Sequence, residues 1–265
     1  MPPKPEKNLK LPFQVLFRFF LYNRLVSKAG HFRRKGWDFL ASPLRHEYKI
    51  RLSLGEYAGL RARLRAVLPH DVHAGPSGEY QIRSVYFDNT EDKALREKLT
   101  GIDCREKFRL RWYNGDTSYL VLEKKSKHHG LCGKAGCLLT KEEACLLFHG
   151  DTRWMKESDR ETARELALKM ELQGLRPRTV VDYLREPFVF PPGNVRVTLD
   201  REIRGAAFFP DLLENPPLLL PAGNSVILEV KYDEFLPELI RDIVGLNSRG
   251  AGAFSKYAAA RGVSY

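Results

Sequence analysis

Residues 105–116 read REKFRLRWYNGD and set Lys107, Arg109 and Arg111 at alternate positions, with Phe108, Leu110 and Trp112 between them. Successive side chains of a β-strand point to opposite faces, so as a strand this segment carries cations on one face and large apolar groups on the other. The two-residue period recurs. Residues 45–52 put Arg45, Glu47, Lys49 and Arg51 on one face, and residues 120–127 put Val121, Glu123, Lys125 and Lys127 together. Residues 195–200 align Arg196, Thr198 and Asp200, and residues 226–232 align Ile227, Glu229 and Lys231. Arginine forks and lysine point charges are the groups that hold phosphate oxygens. Single glutamates among them, as in Glu47-x-Lys49, Glu123-x-Lys125 and Glu229-x-Lys231, are oxygen ligands suited to a divalent cation that bridges phosphates.

One solvated face of an antiparallel sheet accounts for any single strand of this kind. It accounts poorly for the set, because a solvated face mixes both signs with Ser and Thr. Here cations dominate. The opposite faces are apolar, and helices between the strands can cover the sheet from outside, which turns the charged faces inward as a polar-lined barrel. Such an interior is unstable when empty, since desolvation and mutual repulsion penalise every cation. A threaded polyanion relieves both. A duplex does not fit such a lumen and no nucleic-acid-binding motif is present, so no nucleic-acid partner is expected.

The elements that position these faces can be read between them. Ser53 and Glu56 form a capping box, and Tyr57, Leu60, Leu64 and Leu68 make a helical stripe ended by Pro69. YQIRSVYFD (residues 80–88) is a strand with Arg83 opposite to Ile82, Ser84 and Tyr86. Residues 89–101 are a short helix capped by Asn89 or Thr90, with Asp88 as a further capping group and Gly101 as its stop. Asn-Gly-Asp at 114–116 turns a hairpin. Residues 141–172 are helical, 178–188 and 194–202 are strands, 215–224 a loop, and a helix lies near 237–246. Tyr86, Phe108 and Trp112 are expected in the core, Asp200 as the partner of an inward Arg, and Arg51 and Lys127 as rim or lumen charges.

The chain has 265 residues, 43% of them hydrophobic, and a formal net charge of +11. That charge favours a polyanionic partner. Residues 1–40 hold nine Lys or Arg against two acids, a basic appendage ahead of a body at 41–265 that is only mildly basic. Within the appendage, residues 11–22 (LPFQVLFRFFLY) are shorter than the ~18 apolar residues of a membrane span and carry Gln14 and Arg18. The segment lacks a signal-cleavage pattern and suits either a helix lying on an anionic membrane or one packed on the body. Cys104, Cys132, Cys137 and Cys145 are read as reduced thiols of a cytoplasmic protein, peripheral to a membrane if the appendage docks there. His128, His129, Cys132 and Cys137 match no zinc-module spacing and are read as a loop.

Taken in order, the motifs RHEYKI, IRSVYFD, KFRLRWY, LEKKSK, PRTVVDYLREPF, RVTLD, ILEVKY and FSKY resemble the VTC-domain family of polyphosphate polymerases, over about residues 44–260. The wider tunnel superfamily begins with an E-x-E-x-K strand. Here Arg45 replaces the first acid, which is more similar to the VTC branch than to the CYTH triphosphatases. The resemblance implies an α+β fold, an antiparallel eight-stranded tunnel with a basic interior and helices outside. It implies transfer of the γ-phosphate of ATP to a growing polyphosphate with Mn²⁺ or Mg²⁺. By the same resemblance Lys49, Arg109, Arg111, Lys125, Arg185 and Lys256 act on the transferred phosphoryl group. Lys134 joins them in binding phosphate, and Glu229 and Glu47 hold the metal; Arg83, Arg196 and Lys231 are further candidate phosphate-binding residues. No covalent enzyme intermediate is required. A tunnel triphosphatase or polyphosphatase, and a non-catalytic polyphosphate or inositol-phosphate sensor, use the same residues. Two departures stand out: the family's K-x-R strand reads Lys134-Ala135-Gly136, and a lysine three positions before the FSK lysine is Ala253. Fungal members also carry an accessory N-terminal domain and membrane spans. With neither here, membrane coupling is expected through residues 1–40 or a separate partner.

Overall fold

The computed structural model describes residues 38–39, 45–128, 131–245 and 254–262. Residues 1–37, His129 and Ala253 lie outside them, and with them the expectations for the appendage. In chain order the described elements are β1 (Asp38–Phe39), β2 (His46–Leu52), α1 (Leu54–Val67), β3 (Tyr80–Asp88), α2 (Lys93–Leu99), β4 (Arg105–Tyr113), β5 (Asp116–His128) and β6 (Leu131–Leu139). They continue with α3 (Lys141–Phe148), α4 (Arg153–Lys156), α5 (Glu161–Gln173), β7 (Arg176–Phe190), β8 (Val195–Ala207), β9 (Leu220–Pro221), β10 (Val226–Tyr232), α6 (Glu238–Val244) and α7 (Lys256–Ala260).

The strands form one antiparallel sheet in the order β1-β6-β5-β4-β3-β7-β8-β10-β2, with β9 on β8. Eight long strands are thus present, as the tunnel reading expects, but the ladder is an open path. Among the described residues β2 pairs only with β10, and β6 with β5 and the short β1. The expected closed barrel is therefore corrected to a curled sheet. Side chains span its seam: Lys125 on β5 reaches Glu47 on β2 at 3.3 Å. That contact makes the inner faces of the two ends of the sheet look at one another.

Alternation decides what lies outside. Phe108, Leu110 and Trp112 of β4, Leu120 and Leu122 of β5, and Val85 and Phe87 of β3 pack under α3 and α5 as one core. Ile50 and Leu52 of β2, Val195, Val197 and Leu199 of β8, and Val226, Leu228 and Val230 of β10 form a second core beneath α1 and α6. The capping box of α1 is present, with Glu56 N donating to Ser53 and Ser53 N to Glu56. Helix α2 begins at Lys93, later than the sequence suggests. Its first amides are met by Asn89 and Asp88, the latter accepting from Ala94 N at 2.8 Å. The stretch expected as a loop around Cys132 is strand β6; Gly133, Ala135 and Gly136 hide its period.

The inner face is not polar throughout. Ile82, Tyr86, Val181, Tyr183, Ile203 and Ile227 form an apolar patch with Tyr257 and Ala258 of α7. Helix α7 can approach this closely because β8 has Gly205 there, where a Cβ would meet Ala260 at 2.7 Å. This close packing is what carries Lys256 to the inner face. No helix among the described residues is long and apolar enough to cross a membrane.

Candidate functional site

The inner faces of the strands hold nearly all the cations singled out from the sequence. Cross-strand register fixes the rows. Arg109 of β4 lies opposite Glu123 of β5, which lies opposite Gly136 of β6; Lys107 lies opposite Lys125, and Lys125 opposite Lys134. On the other side Arg185 of β7 is opposite Asp200 of β8, Thr198 is opposite Glu229 of β10, and Glu229 is opposite Lys49 of β2.

Glu47 and Glu229 are in direct side-chain contact. Lys49 stands 2.9 Å and Lys231 3.4 Å from Glu47, while Lys231 also pairs with Glu229, and Arg185 lies 3.7 Å from it. Burial pushes the Glu229 carboxyl up, but Lys231, Lys49 and Arg185 outweigh it and hold the group well below the usual carboxylate range. For Glu47, burial and Glu229 push upward and Lys49 and Lys231 prevail, so its carboxyl is lowered too. Two ionised carboxylates kept in contact are a hard-oxygen donor pair. No third His, Cys, Asp or Glu completes a cluster with them among the described residues. Such a pair of oxygen donors would suit a divalent cation whose other positions water and phosphate oxygens fill.

Asp200 is fully buried between cations. Arg185 grips it with two bonds of 2.7 and 2.8 Å, and Lys256 adds a third at 2.6 Å. It is an arginine partner, as its position on the face of Arg196 suggests. Lys256 also lies 4.7 Å over the Tyr183 ring. Arg196 is held by Asp71 at 3.1 Å and by the Tyr80 hydroxyl at 2.9 Å.

On the opposite wall, among the described residues, the cations of β4 and β6 converge on the carboxylate of Glu123. Arg109 donates to it at 2.5 Å, Lys134 reaches it at 2.5 Å and Arg111 at 3.6 Å. Burial raises this carboxyl, but Arg109, Arg111 and Lys134 far outweigh it and keep it ionised. Lys107 has no carboxylate partner among the described residues. Burial, then Lys125, Arg109 and Lys49, lower its ammonium to about 8 despite the opposing pull of Tyr86. Lys127 turns to Asp103 at 3.6 Å, and exposed Arg51 lies over Phe254. Both belong to the rim.

One candidate is corrected. Arg83 lies opposite Trp112 and Asp182 on the outer face, where its Nε donates to Asp182 at 2.9 Å. A residue out of phase with Ser84 and Tyr86 cannot reach the lumen. Three lumen groups were not among the candidates: Glu123, Lys107 and Tyr86. The alternation had already placed the first two on inward faces. Tyr86 is buried as expected, but its hydroxyl meets Arg109. The glycine of the K-x-R departure is explained locally, since a Cβ at Gly136 would meet Leu122 O at 2.7 Å.

Among the described residues seven buried side-chain polar atoms lack a hydrogen-bond partner, and four of them are on the lumen walls: Arg111 Nε and Ser84 Oγ on one, Arg196 Nε and Thr198 Oγ1 on the other. Ser84 is opposite Arg111 and Thr198 opposite Glu229. Buried donors are rarely left unmet, so these atoms point to an oxygen-rich ligand between the walls.

The family described as VTC domain matches residues 44–265. Among solved structures, HpAC1 from Hippeastrum, reported with a dominant triphosphatase activity, is 14% identical with a TM-score of 0.50, covering 82% of this chain and 95% of its own. PH1819 from Pyrococcus horikoshii is 13% identical with a TM-score of 0.43, over 80% of this chain and 96% of its own. The inorganic triphosphatase NE1496 is 12% identical with a TM-score of 0.28, over 76% and 78%. The comparison with curated proteins gives no match.

Proposed function

The chain belongs to the VTC-domain family and has the triphosphate tunnel fold, and from that premise we propose that it is a metal-dependent polyphosphate polymerase. It transfers the γ-phosphate of ATP to the end of a polyphosphate held between the two walls. The observation that carries this reading is the contact of Glu47 with Glu229 in a lumen whose charged side chains are mostly cations. Such a pair is out of place in a purely anion-binding groove. It is in place where phosphate and a divalent cation meet. Glu47 and Glu229 would hold Mn²⁺ or Mg²⁺ there, and the ion would supply neutralisation of charge on the transferred group.

The chain's own residues do the rest. Lys49 and Lys231 hold Glu47 and Glu229 ionised and in place. Arg109, Arg111, Lys125 and Lys134 receive the phosphate chain, and Arg185 and Lys256, steadied by Asp200, stabilise charge on the phosphoryl group. The acceptor phosphate is already an anion at neutral pH, so positioning and neutralisation suffice. Residues 1–40 are proposed to give contact with a membrane or membrane protein.

A second reading is favoured by the dominant triphosphatase activity of the Hippeastrum protein. The same walls would then direct water at a triphosphate. Incubation of the purified chain with ATP and Mn²⁺, with products resolved by gel, separates the readings. A ladder of long chains is the expected result, orthophosphate alone marks the hydrolase, and binding without turnover marks a sensor.

A further inference from the structure

Two tyrosines stack on the inner face and meet opposite surroundings. The rings of Tyr86 on β3 and Tyr257 on α7 are 5.1 Å apart. The Tyr257 hydroxyl donates to Asp88 at 2.7 Å. Burial and that carboxylate push its phenol well above the ordinary tyrosine range. The Tyr86 oxygen instead accepts from Arg109 Nη1 at 3.1 Å. Among the described residues it has no acceptor for its own proton. Among the described residues the charged groups that act on it most strongly are cations: Lys107, Arg109 and Arg111 from β4, with Lys49 from β2 also acting on it. Lys107 Nζ lies 5.6 Å from the ring centroid. The nearest acids are engaged elsewhere, Glu123 by Arg109 and Lys134, and Asp88 by Tyr257 and the first turn of α2. A phenol ringed by donors lacks either an acceptor or a negative charge of its own. Burial opposes that charge, but Arg109, Lys107 and Arg111 outweigh it and bring the phenol down to about 7.

We propose that Tyr86 is a phosphate-contacting residue: as a phenolate it stands among Arg109, Lys107 and Lys49 where a phosphate oxygen will sit. When a phosphate chain enters, Tyr86 takes one proton from solvent and donates it as a hydrogen bond to the chain. This rests on the reading of the lumen as a phosphate-chain site. Chain binding then consumes a proton at Tyr86. Affinity is greatest below about pH 7, where the free phenol is already protonated, and falls as pH rises through that value. Lys107, at about 8, acts in the same direction, so the two must be separated by substitution.

The test is a titration of the full chain with tripolyphosphate, about one pH unit above 7. Binding and the near-ultraviolet absorbance of phenolate are both recorded, with Tyr86→Phe as the reference. The wild type is expected to show a phenolate band that Tyr86→Phe lacks, and one equivalent of tripolyphosphate should bleach it. Tyr86→Phe, which keeps the ring stack, should bind about tenfold more weakly at low pH, where its missing hydrogen bond is felt. Binding without a phenolate band, or with a band that tripolyphosphate leaves unchanged, overturns the proposal while the lumen reading stands. Absence of binding by the wild type overturns both.

Discussion

The two walls of the lumen are built from the same two-residue alternation and reach opposite electrostatic ends. In the wall of β7, β8, β10 and β2, the carboxylates of Glu47, Glu229 and Asp200 are threaded among Lys49, Lys231, Arg185, Lys256 and Arg196. In the wall of β3 to β6, Arg109, Arg111 and Lys134 share Glu123, Lys125 reaches across the seam to Glu47, and Lys107 has no carboxylate partner among the described residues. The first wall offsets more of its charge, three carboxylates against five cations, and assembles a pair of carboxylates fit for a cation. The second keeps its excess and waits for an anion. Charge in a lumen is therefore not one quantity: compensated charge builds a centre, and uncompensated charge recruits a ligand.

The comparison breaks most sharply at Glu229. Replacing it with Gln removes one carboxylate of the pair and should reduce turnover of ATP with Mn²⁺ about a hundredfold or more, the scale for losing a preorganised charge group. Tripolyphosphate affinity should survive, since the opposite wall is untouched. Parallel measurement of turnover and binding checks this, and equal loss of both would merge the two walls into one.

Glu123→Gln is the converse. It removes the buried carboxylate shared by buried Arg111, part-buried Arg109 and exposed Lys134 and should cost about 3 kcal/mol in urea unfolding, the scale for breaking one side of a buried pair. Tripolyphosphate should bind this variant more tightly and restore much of the lost stability.

How much of this was legible in the sequence follows from the same alternation. Arg45, Glu47, Lys49 and Arg51 share a face because strand period alone dictates it, and the rows of β4, β5, β8 and β10 were legible for the same reason. Arg83 has the charge of a lumen residue but the phase of an outer one, and phase decides. Strand β6 was obscured by Gly133, Ala135 and Gly136, which offer no large groups to alternate. Its place is set by register with β5. Tyr86 reads as core because aromatics in strands usually are. What makes it polar is the pairing of Tyr86 with Arg109 across the sheet and the arrival of Tyr257 from the end of the chain. Those contacts arise only when the sheet curls. The seam between Glu47 and Lys125, and the failure of the ladder to close there, are likewise properties of the curl.

The uncompensated wall also predicts an unusual pH profile. In the folded chain Tyr86 loses its proton at about 7 and Lys107 at about 8, whereas both keep theirs until about 10 when unfolded. Between these limits the unfolded state binds more protons, so stability rises with pH. The urea midpoint of the ligand-free protein should increase from neutral pH towards about 10 and increase less in Tyr86→Phe. A midpoint flat or falling over that interval would contradict the excess charge assigned to this wall.

The smallest functional effect belongs outside both walls. Arg83→Ala removes an outer ion pair with Asp182 and should cost about 1 to 2 kcal/mol of stability. It should leave tripolyphosphate affinity unchanged, while Arg109→Ala weakens it at least about tenfold.

The most direct measurement is a crystal structure of the chain with tripolyphosphate and Mn²⁺, using the anomalous signal of the metal. The account predicts Mn²⁺ on Glu47 and Glu229, with phosphates running from there to Arg109 and Arg111 and meeting Ser84 and Thr198. Phosphate density on the outer surface, or manganese bound away from those two glutamates, would contradict it.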